Sequence, residues 1–281
     1  MTETVLALNA GSSTLKYGVY RMSDGEEELL SATVDWSGST PRSALEAALQ
    51  HLRSAGHGEP AVIGHRIVHG GTSFTAPVAV DAHVLQRLDA LVSLAPLHLP
   101  PALGLLREAM KRCPLARHVA CFDTSFHSSL PEVARRFALP ADLHRLGVRR
   151  YGFHGLSCQF VLAQLAPSPP ARLIVAHLGS GVSLTAVKHG RSIDTTMGMT
   201  PTGGLPMGTR SGDLDPGVLL HLLREQGYSP AALGRLVNHE CGLVGLAGSS
   251  DARDLSARAE RNDATALFAL EHFAYAVKKQ I

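Results

Sequence analysis

Residues 5–19 read VLALNAGSSTLKYGV and residues 173–187 read LIVAHLGSGVSLTAV, and the two stretches align without a gap. Each runs through an apolar strand, a polar residue (Asn9 or His177), an apolar residue, a Gly-Ser turn and a second strand. That is the pattern of a β-hairpin. Only the Gly, the Ser and the final Val are identical. Two explanations stay open. Two unrelated hairpins look alike, or the chain holds a duplicated domain with one phosphate-gripping hairpin per half, the halves facing each other across a cleft.

Around these hairpins the apolar pattern sets out an α/β chain. The first hairpin pairs strands at 5–8 and 15–20 across a polar turn at 9–14. A helix is expected over 43–53, where Leu45, Ala48, Leu49 and Leu52 share one face. Strands follow at 61–68 and 118–122, and helices at 84–94, 101–111 and 131–138. After Arg149 the pattern restarts, with a helix at 156–165, a strand at 173–176, a tight turn at 177–181 and a return strand at 182–188. Residues 191–216, RSIDTTMGMTPTGGLPMGTRSGDLDP, show no strand or helix period over most of their length. A loop this long in a compact domain is usually functional. Helices come next at 216–225, opened by Pro216, and at 230–239. A Gly-rich segment leads to a last helix from about residue 264, with Leu267, Leu270, Ala274 and Val277 as its apolar stripe.

Composition narrows the function classes. The 281 residues are 45% hydrophobic and 18% charged, enough for two domains with cores of their own. The net charge of +2 and the scattered lysines and arginines point away from nucleic acid. Cys113, Cys121, Cys158 and Cys241 form no CxxC pair and read as a reduced set. The N-terminus turns polar too early for a signal peptide, and no apolar run reaches membrane-spanning length. A soluble cytoplasmic protein without a membrane partner is expected.

Several short stretches carry candidate chemistry. In NAGSSTLK, Asn9 ends a strand, the turn offers backbone N–H groups and the hydroxyls of Ser12, Ser13 and Thr14, and Lys16 follows. Such donors suit a polyphosphate, and an ordinary polar hairpin is the plainer alternative. HLGSG at 177–181 invites the same two readings. In GHRIVHGG, Arg66 is a candidate carboxylate grip, while His65 and His69 read as core histidines before zinc ligands. Asp123 follows directly on an apolar strand, where ligands meet open α/β sheets, or where an Asx turn starts. RRYGFHG places His154 before a glycine, as a donor or as part of a domain-boundary loop. SSDARD at 249–254 reads first as a helix cap. Arg210 is the single arginine within the long loop's Gly-rich core, a charged fork on a hinged segment. The Walker GxxxxGK[ST] pattern, a GxGxxG after a strand and a GxSxG elbow are all missing from the sequence. The inventory suits phosphoryl transfer, which depends on positioning and charge neutralisation.

Taken in order, NAGSSTLKYGVY, GHRIVHGG, LAPLH, CFDTSFH, RRYGFHG, AHLGSGVS, DTTMGMTPTGGLPMGTRSGDLDP, SSDARDL and YAVKKQI resemble the acetate and propionate kinase family. The resemblance covers the chain from end to end. It implies two ribonuclease-H-like domains of the acetate and sugar kinase, actin and chaperone-ATPase superfamily, divided as residues 1–128 and 129–281. The first is expected to serve substrate, magnesium and phosphates, and the second nucleotide. The implied reaction is reversible transfer of the ATP γ-phosphoryl group to a short-chain carboxylate, acetate first. Alternatives are propionate or butyrate as acceptor, and a catalytically incomplete chain that binds ligand without turnover.

Carried over by motif, Asp123, His154 and Arg210 are the catalytic residues, and Arg66 binds the carboxylate. Asn9 sits at the Mg²⁺ (or Mn²⁺) site. Lys16, then His177, Leu178, Gly179, Ser180 and Gly181, then Asp251, Ala252 and Arg253, contact ATP. The family also implies a homodimer. Four departures qualify the match. Ser180 replaces the family's asparagine in HLGNG, which predicts altered nucleotide affinity. Leu99 replaces an asparagine after LAPLH, which favours a bulkier acyl group. TPTGGL replaces TPLEGL, removing an acid near Arg210. Finally, the family pattern continues beyond VKKQI with a GIGEN adenosine loop and a closing helix, so the second domain is expected to be incomplete and its sheet edge exposed.

Overall fold

A computed structural model of the chain describes residues 3–11, 14–23, 25–36 and 40–281. Two compact units emerge, Met1–Ser125 and Phe126–Ile281. Unit 1 opens with three strands, β1 Glu3–Ala10, β2 Thr14–Met22 and β3 Glu26–Asp35. Next come helix α1 Pro41–Ser54, strands β4 Val62–Ile67 and β5 Val78–Ala79, helices α2 Ala82–Asp89 and α3 Leu99–Arg112, and strand β6 Arg117–Phe122. The sheet order is β3-β2-β1-β4-β6-β5. β1, β2 and β3 are antiparallel neighbours, while β1, β4 and β6 run parallel. An antiparallel meander continued by parallel strands is the ribonuclease-H-like arrangement the resemblance implies.

Local chemistry accounts for the helix that covers this sheet. Thr40 caps α1 by accepting from the Ser43 N–H, Ser43 returns the bond to the Thr40 N–H, and Pro41 opens the helix where its missing N–H costs nothing. Ala44, Leu45, Ala48, Leu49 and Leu52 are its buried face. They pack with Leu6, Leu15, Val19 and Ile63 of the sheet. A second cluster gathers Ile67, Phe74, Leu88, Leu103 and Phe122 at the other end.

Unit 2 contains short helices α4 Glu132–Arg135 and α5 Ala141–Arg145, then α6 Gly155–Gln164. A meander follows, β7 Arg172–Leu178, β8 Val182–Lys188 and β9 Arg191–Thr195, paired in the order β7-β8-β9. Its remaining helices are α7 Pro216–Arg224, α8 Pro230–Arg235, α9 Gly242–Ala247, α10 Ala252–Glu260 and α11 Ala264–Gln280, with a wide π-type turn at Leu236–Glu240 after α8. Leu243, Ala247, Leu255, Ala266 and Ala269 form the core among α9, α10 and α11. No helix among the described residues is long and apolar enough to cross a membrane.

Several sequence expectations need correction. His177 and Leu178 belong to β7, so the second turn is confined to Gly179, Ser180 and Gly181. Residues 191–195 are not loop but β9, whose Ser192 and Thr195 are buried against β8. β3 was not anticipated, because its first residues are three glutamates. The helix expected over 131–138 is a single turn, and that over 84–94 ends at Asp89. On α11 the packed face runs through Ala266 and Ala269, which let neighbouring helices approach closely, and Leu267 is exposed. Leu99 is fully buried at the start of α3, in the second core cluster. Its side chain packs against that core.

Candidate active site

Unit 1 brings three of the expected residues together. β1 and β4 lie side by side in parallel, and so do β4 and β6, so their carboxyl ends share one edge of the sheet. Asn9 lies near the end of β1, Arg66 near the end of β4, and Asp123 just past β6. Arg66 donates from Nε to both Asp123 oxygens at 3.1 and 3.2 Å, and from Nη2 to Oδ2 at 2.6 Å. Its Nη1 donates to Asn9 Oδ1 at 2.8 Å. The Asp123 side chain is 2% exposed and that of Arg66 31%. Burial pushes the Arg66 guanidinium down, and the charge and hydrogen bonds of Asp123 outweigh this and hold it up. These bonds use three of its five N–H groups, leaving one on each terminal nitrogen. Lys16 is exposed and pairs with Asn9 across the hairpin. Ser12 and Ser13, counted as phosphate donors, lie outside the described residues.

Two histidines occupy the opposite face of these strands. His65 Nε2 lies 3.0 Å from His118 Nδ1, and His118 Nε2 lies 3.1 Å from the Cys113 carbonyl. Burial pushes His65 down to about 3, with the charge of His118 adding to it. His69, on the turn after β4, accepts the Gly71 N–H at 2.9 Å. These are the core roles the sequence favoured.

Unit 2 assembles a second set. His154 stands before α6 with φ 58°, a left-handed backbone that a non-glycine residue adopts at a cost. Its ring stacks on His177 of β7, with centroids 4.0 Å apart and planes 18° apart. Its Nδ1 lies 2.8 Å from Ser183 Oγ on β8. A β-carbon on Gly181 would lie 2.9 Å from His154 Nε2 and 3.5 Å from Arg210 Nη1. The imidazole and the guanidinium therefore converge on the turn between β7 and β8, and only a glycine leaves them room. Arg210 Nη1 also donates to the Pro201 carbonyl at 3.1 Å.

The Arg210 loop is tied down by residues 238–244, a segment with no functional motif of its own. The amides of Leu243 and Val244, at the start of α9, donate to the carbonyls of Met207 and Gly208, and the Cys241 amide donates to that of Thr209. Asn238, in the π-type turn, accepts from the Thr202 hydroxyl at 2.6 Å, and its carbonyl accepts from the Thr209 hydroxyl at 2.9 Å. Gly242 has φ 64°, and a β-carbon there would meet the Met207 carbonyl oxygen at 2.0 Å. A conspicuous glycine after the long loop was the one available signal. Arg150, singled out with the RRYGFHG motif, holds the carbonyls of Ala134, Thr195, Thr196 and Met197. It organises the backbone after β9. It also lines a cavity of about 240 Å³ with Asp194 and Asp213.

Asp251 caps α10 by accepting the Arg253 N–H at 2.8 Å, and it pairs with the Arg253 side chain at 3.0 Å. The plain capping role read from SSDARD is therefore present, and Ala252 is the first residue of the helix.

Comparisons with known proteins show the family and the fold. A family model described as the acetokinase family matches residues 39–281. The acetate kinase of Nitrobacter hamburgensis is 42% identical over 308 residues, spanning 98% of this chain and 75% of that protein. Among solved structures, acetate kinase from Porphyromonas gingivalis superposes with a TM-score of 0.87 at 35% identity, over 99% of this chain and 78% of that one. A propionate kinase from Francisella tularensis gives the same TM-score at 33% identity and the same coverages. These are mixed α/β kinases, and the chain is built as they are. It belongs to the acetokinase family.

Proposed function

We propose that the chain transfers the γ-phosphoryl group of ATP to acetate, giving acetyl phosphate and ADP, and runs the reverse reaction. A carboxylate oxygen attacks the γ-phosphorus, the bond to the β-bridging oxygen breaks, and its electron pair leaves with ADP. No proton has to move, because the acceptor is already an anion. What the reaction needs is orientation and donors to the phosphoryl oxygens. The observation that carries this reading is the convergence of His154 Nε2 and Arg210 Nη1 on the Gly181 turn. Arg66, steadied by Asp123 and Asn9, keeps two N–H groups for the substrate carboxylate. Asp123 serves by holding Arg66, since both its oxygens are engaged there. Lys16, the turn with its flanking His177 and Leu178, and Asp251, Ala252 and Arg253 are assigned to ATP.

Mg²⁺ fits this reading as part of the Mg-ATP substrate. The described residues contain no group of three or more His, Cys, Asp or Glu arranged to hold a metal ion, and Asn9 Oδ1 faces the Arg66 cation. Asn9 Oδ1 accepts one bond from Arg66 and keeps a second lone pair, so Asn9 is the residue that would hold the ion, and no step is assigned to a protein-held ion. Propionate is the second acceptor to consider, on the strength of the equal structural match to a propionate kinase. A cytoplasmic homodimer completes the proposal. The test is to incubate the 281-residue chain with Mg-ATP and acetate and trap acyl phosphate with hydroxylamine. A hydroxamate signal that disappears without ATP supports the reading. A folded chain that binds ATP and makes no hydroxamate overturns it. Comparing kcat/KM for acetate, propionate and butyrate then ranks the acceptors.

A further inference from the structure

We infer that Ser183 is a positioning residue that fixes the rotation of the His154 ring within its plane and supplies a donor to Nδ1, so that Nε2 carries a proton toward the Gly181 turn. The inference rests on the proposed role of His154 as a donor to the transferring phosphoryl group.

His177 and Ser183 are direct cross-strand partners on β7 and β8. Partners of this kind project from the same face of a sheet. The His154 ring rests on that pair, stacked on the one and within hydrogen-bond reach of the other. Stacking fixes the plane, and the Ser183 contact fixes the rotation within it. Ser183 is 1% exposed, so bulk water is not on hand to take its place.

The chemistry then selects one form of the ring. Phosphoryl oxygens are acceptors. A neutral imidazole stabilises them only through an N–H, and a bare Nε2 lone pair would repel them. In a neutral ring, a proton on Nε2 makes Nδ1 an acceptor. The partner at Nδ1 must therefore be able to donate, and a serine hydroxyl can. A carbonyl or carboxylate in that place would force the opposite tautomer. The sequence offered no hint of this, since Ser183 is one small residue in an apolar strand.

The test uses the whole chain labelled with ¹⁵N-histidine. The His154 signals are assigned by their loss in His154→Ala, and the tautomer is read from the ring nitrogen shifts at neutral pH. A proton on Nε2 alone is expected, with mixed tautomers in Ser183→Ala. A proton on Nδ1, on both nitrogens, or an unchanged spectrum in Ser183→Ala overturns the inference. In the hydroxamate assay, Ser183→Ala should lower kcat about tenfold, the scale of one lost hydrogen bond. KM for Mg-ATP should stay within about twofold, since the bond is one to the ring and not to the nucleotide. Ser183→Thr, which keeps the hydroxyl, should restore most of the rate, and a folded Thr variant as slow as Ala counts against the idea. Ser183→Ala should add nothing to His154→Ala if the serine acts only through the histidine. A His154→Ala chain with normal turnover would defeat the role of His154 itself. A dead His154→Ala beside a fully active Ser183→Ala would defeat only the inference about Ser183. If the chain shows no turnover, the tautomer measurement alone decides.

Discussion

The two hairpins start from the same pattern and end in different chemistry. In the first, Asn9 pairs with Lys16, and Ala10 with Leu15, around four residues. In the second, His177 pairs with Ser183, and Leu178 with Val182, around three. The gap-free alignment of the two sequences therefore holds for the leading strands and slips by one residue in the returning ones. A slip of one moves every side chain to the other face. It puts Ser183, not Leu184, in the place that Lys16 holds in the first hairpin. One turn residue more or fewer thus decides whether the partner of the polar strand-end residue is a solvent-facing ammonium or a buried hydroxyl that can steady a ring.

The surroundings diverge in the same way. Asn9 receives a hydrogen bond from an arginine that is itself locked to a buried aspartate. His177 supports a histidine whose outer nitrogen converges with Arg210. Unit 1 satisfies most of its charge internally, and unit 2 aims donors at one point. Mutations should therefore split into those that cost rate and those that cost stability.

The largest effect is expected from Arg210→Ala. Removing one charged donor from a phosphoryl-transfer site is worth about 3–4 kcal/mol of barrier, so hydroxamate formation should fall at least about 100-fold. The unfolding midpoint in urea should barely move, because the loop is held by the backbone bonds to residues 241–244. A folded variant within about fivefold of the parent rate would break the comparison on its catalytic side.

Asp123→Ala should do both kinds of damage. It strands a largely buried guanidinium without its counter-ion, a change that typically costs about 3 kcal/mol or more. Replacing both partners with apolar residues should cost less stability while still abolishing turnover. If Asp123→Ala leaves stability intact and removes only rate, unit 1 is not self-satisfied in the way described, and Asp123 has a direct part in the chemistry.

Much of this layout was legible in advance, for identifiable reasons. The strands at β1, β4, β6 and β8 are apolar runs ended by glycine or polar residues, and the α1 stripe repeats at helical spacing. What stayed hidden depends on partners far away in sequence. Arg66 and Asp123 are 57 residues apart and meet only because β4 and β6 pair in parallel. β9 looks like loop because Ser192 and Thr195 gain their burial from β8. The turn register, the Asn238 tie and the buried place of Leu99 are likewise products of packing, and no local pattern reports them.

The smallest effect concerns the other face of the same strands. Arg66 and His65 are neighbours on β4 and point to opposite sides, one to the ion pair and one to the buried contact with His118. His65 is held neutral, its protonation pushed down to about 3 by burial. Burial lowers His118 too, partly offset by its bond to the Cys113 carbonyl. Below the ordinary imidazole value of about 6.5 the unfolded chain takes up a proton that the native His65 refuses. Stability is thus full above about pH 6.5 and declines as the pH falls toward 3, by up to about 1.4 kcal/mol per pH unit. Between pH 7 and pH 5, a range in which few carboxylates titrate, His65 alone should remove about 2 kcal/mol. Urea unfolding across that range should show the slope in the parent chain, and the paired substitution of His65→Leu with His118→Leu should make it shallower. Replacing both keeps either ring from being left with an unmet polar atom. Equal slopes in the two chains would mean that the imidazoles are hydrated in the native state, and that the polar interior of unit 1 is less sealed than its ion pair implies.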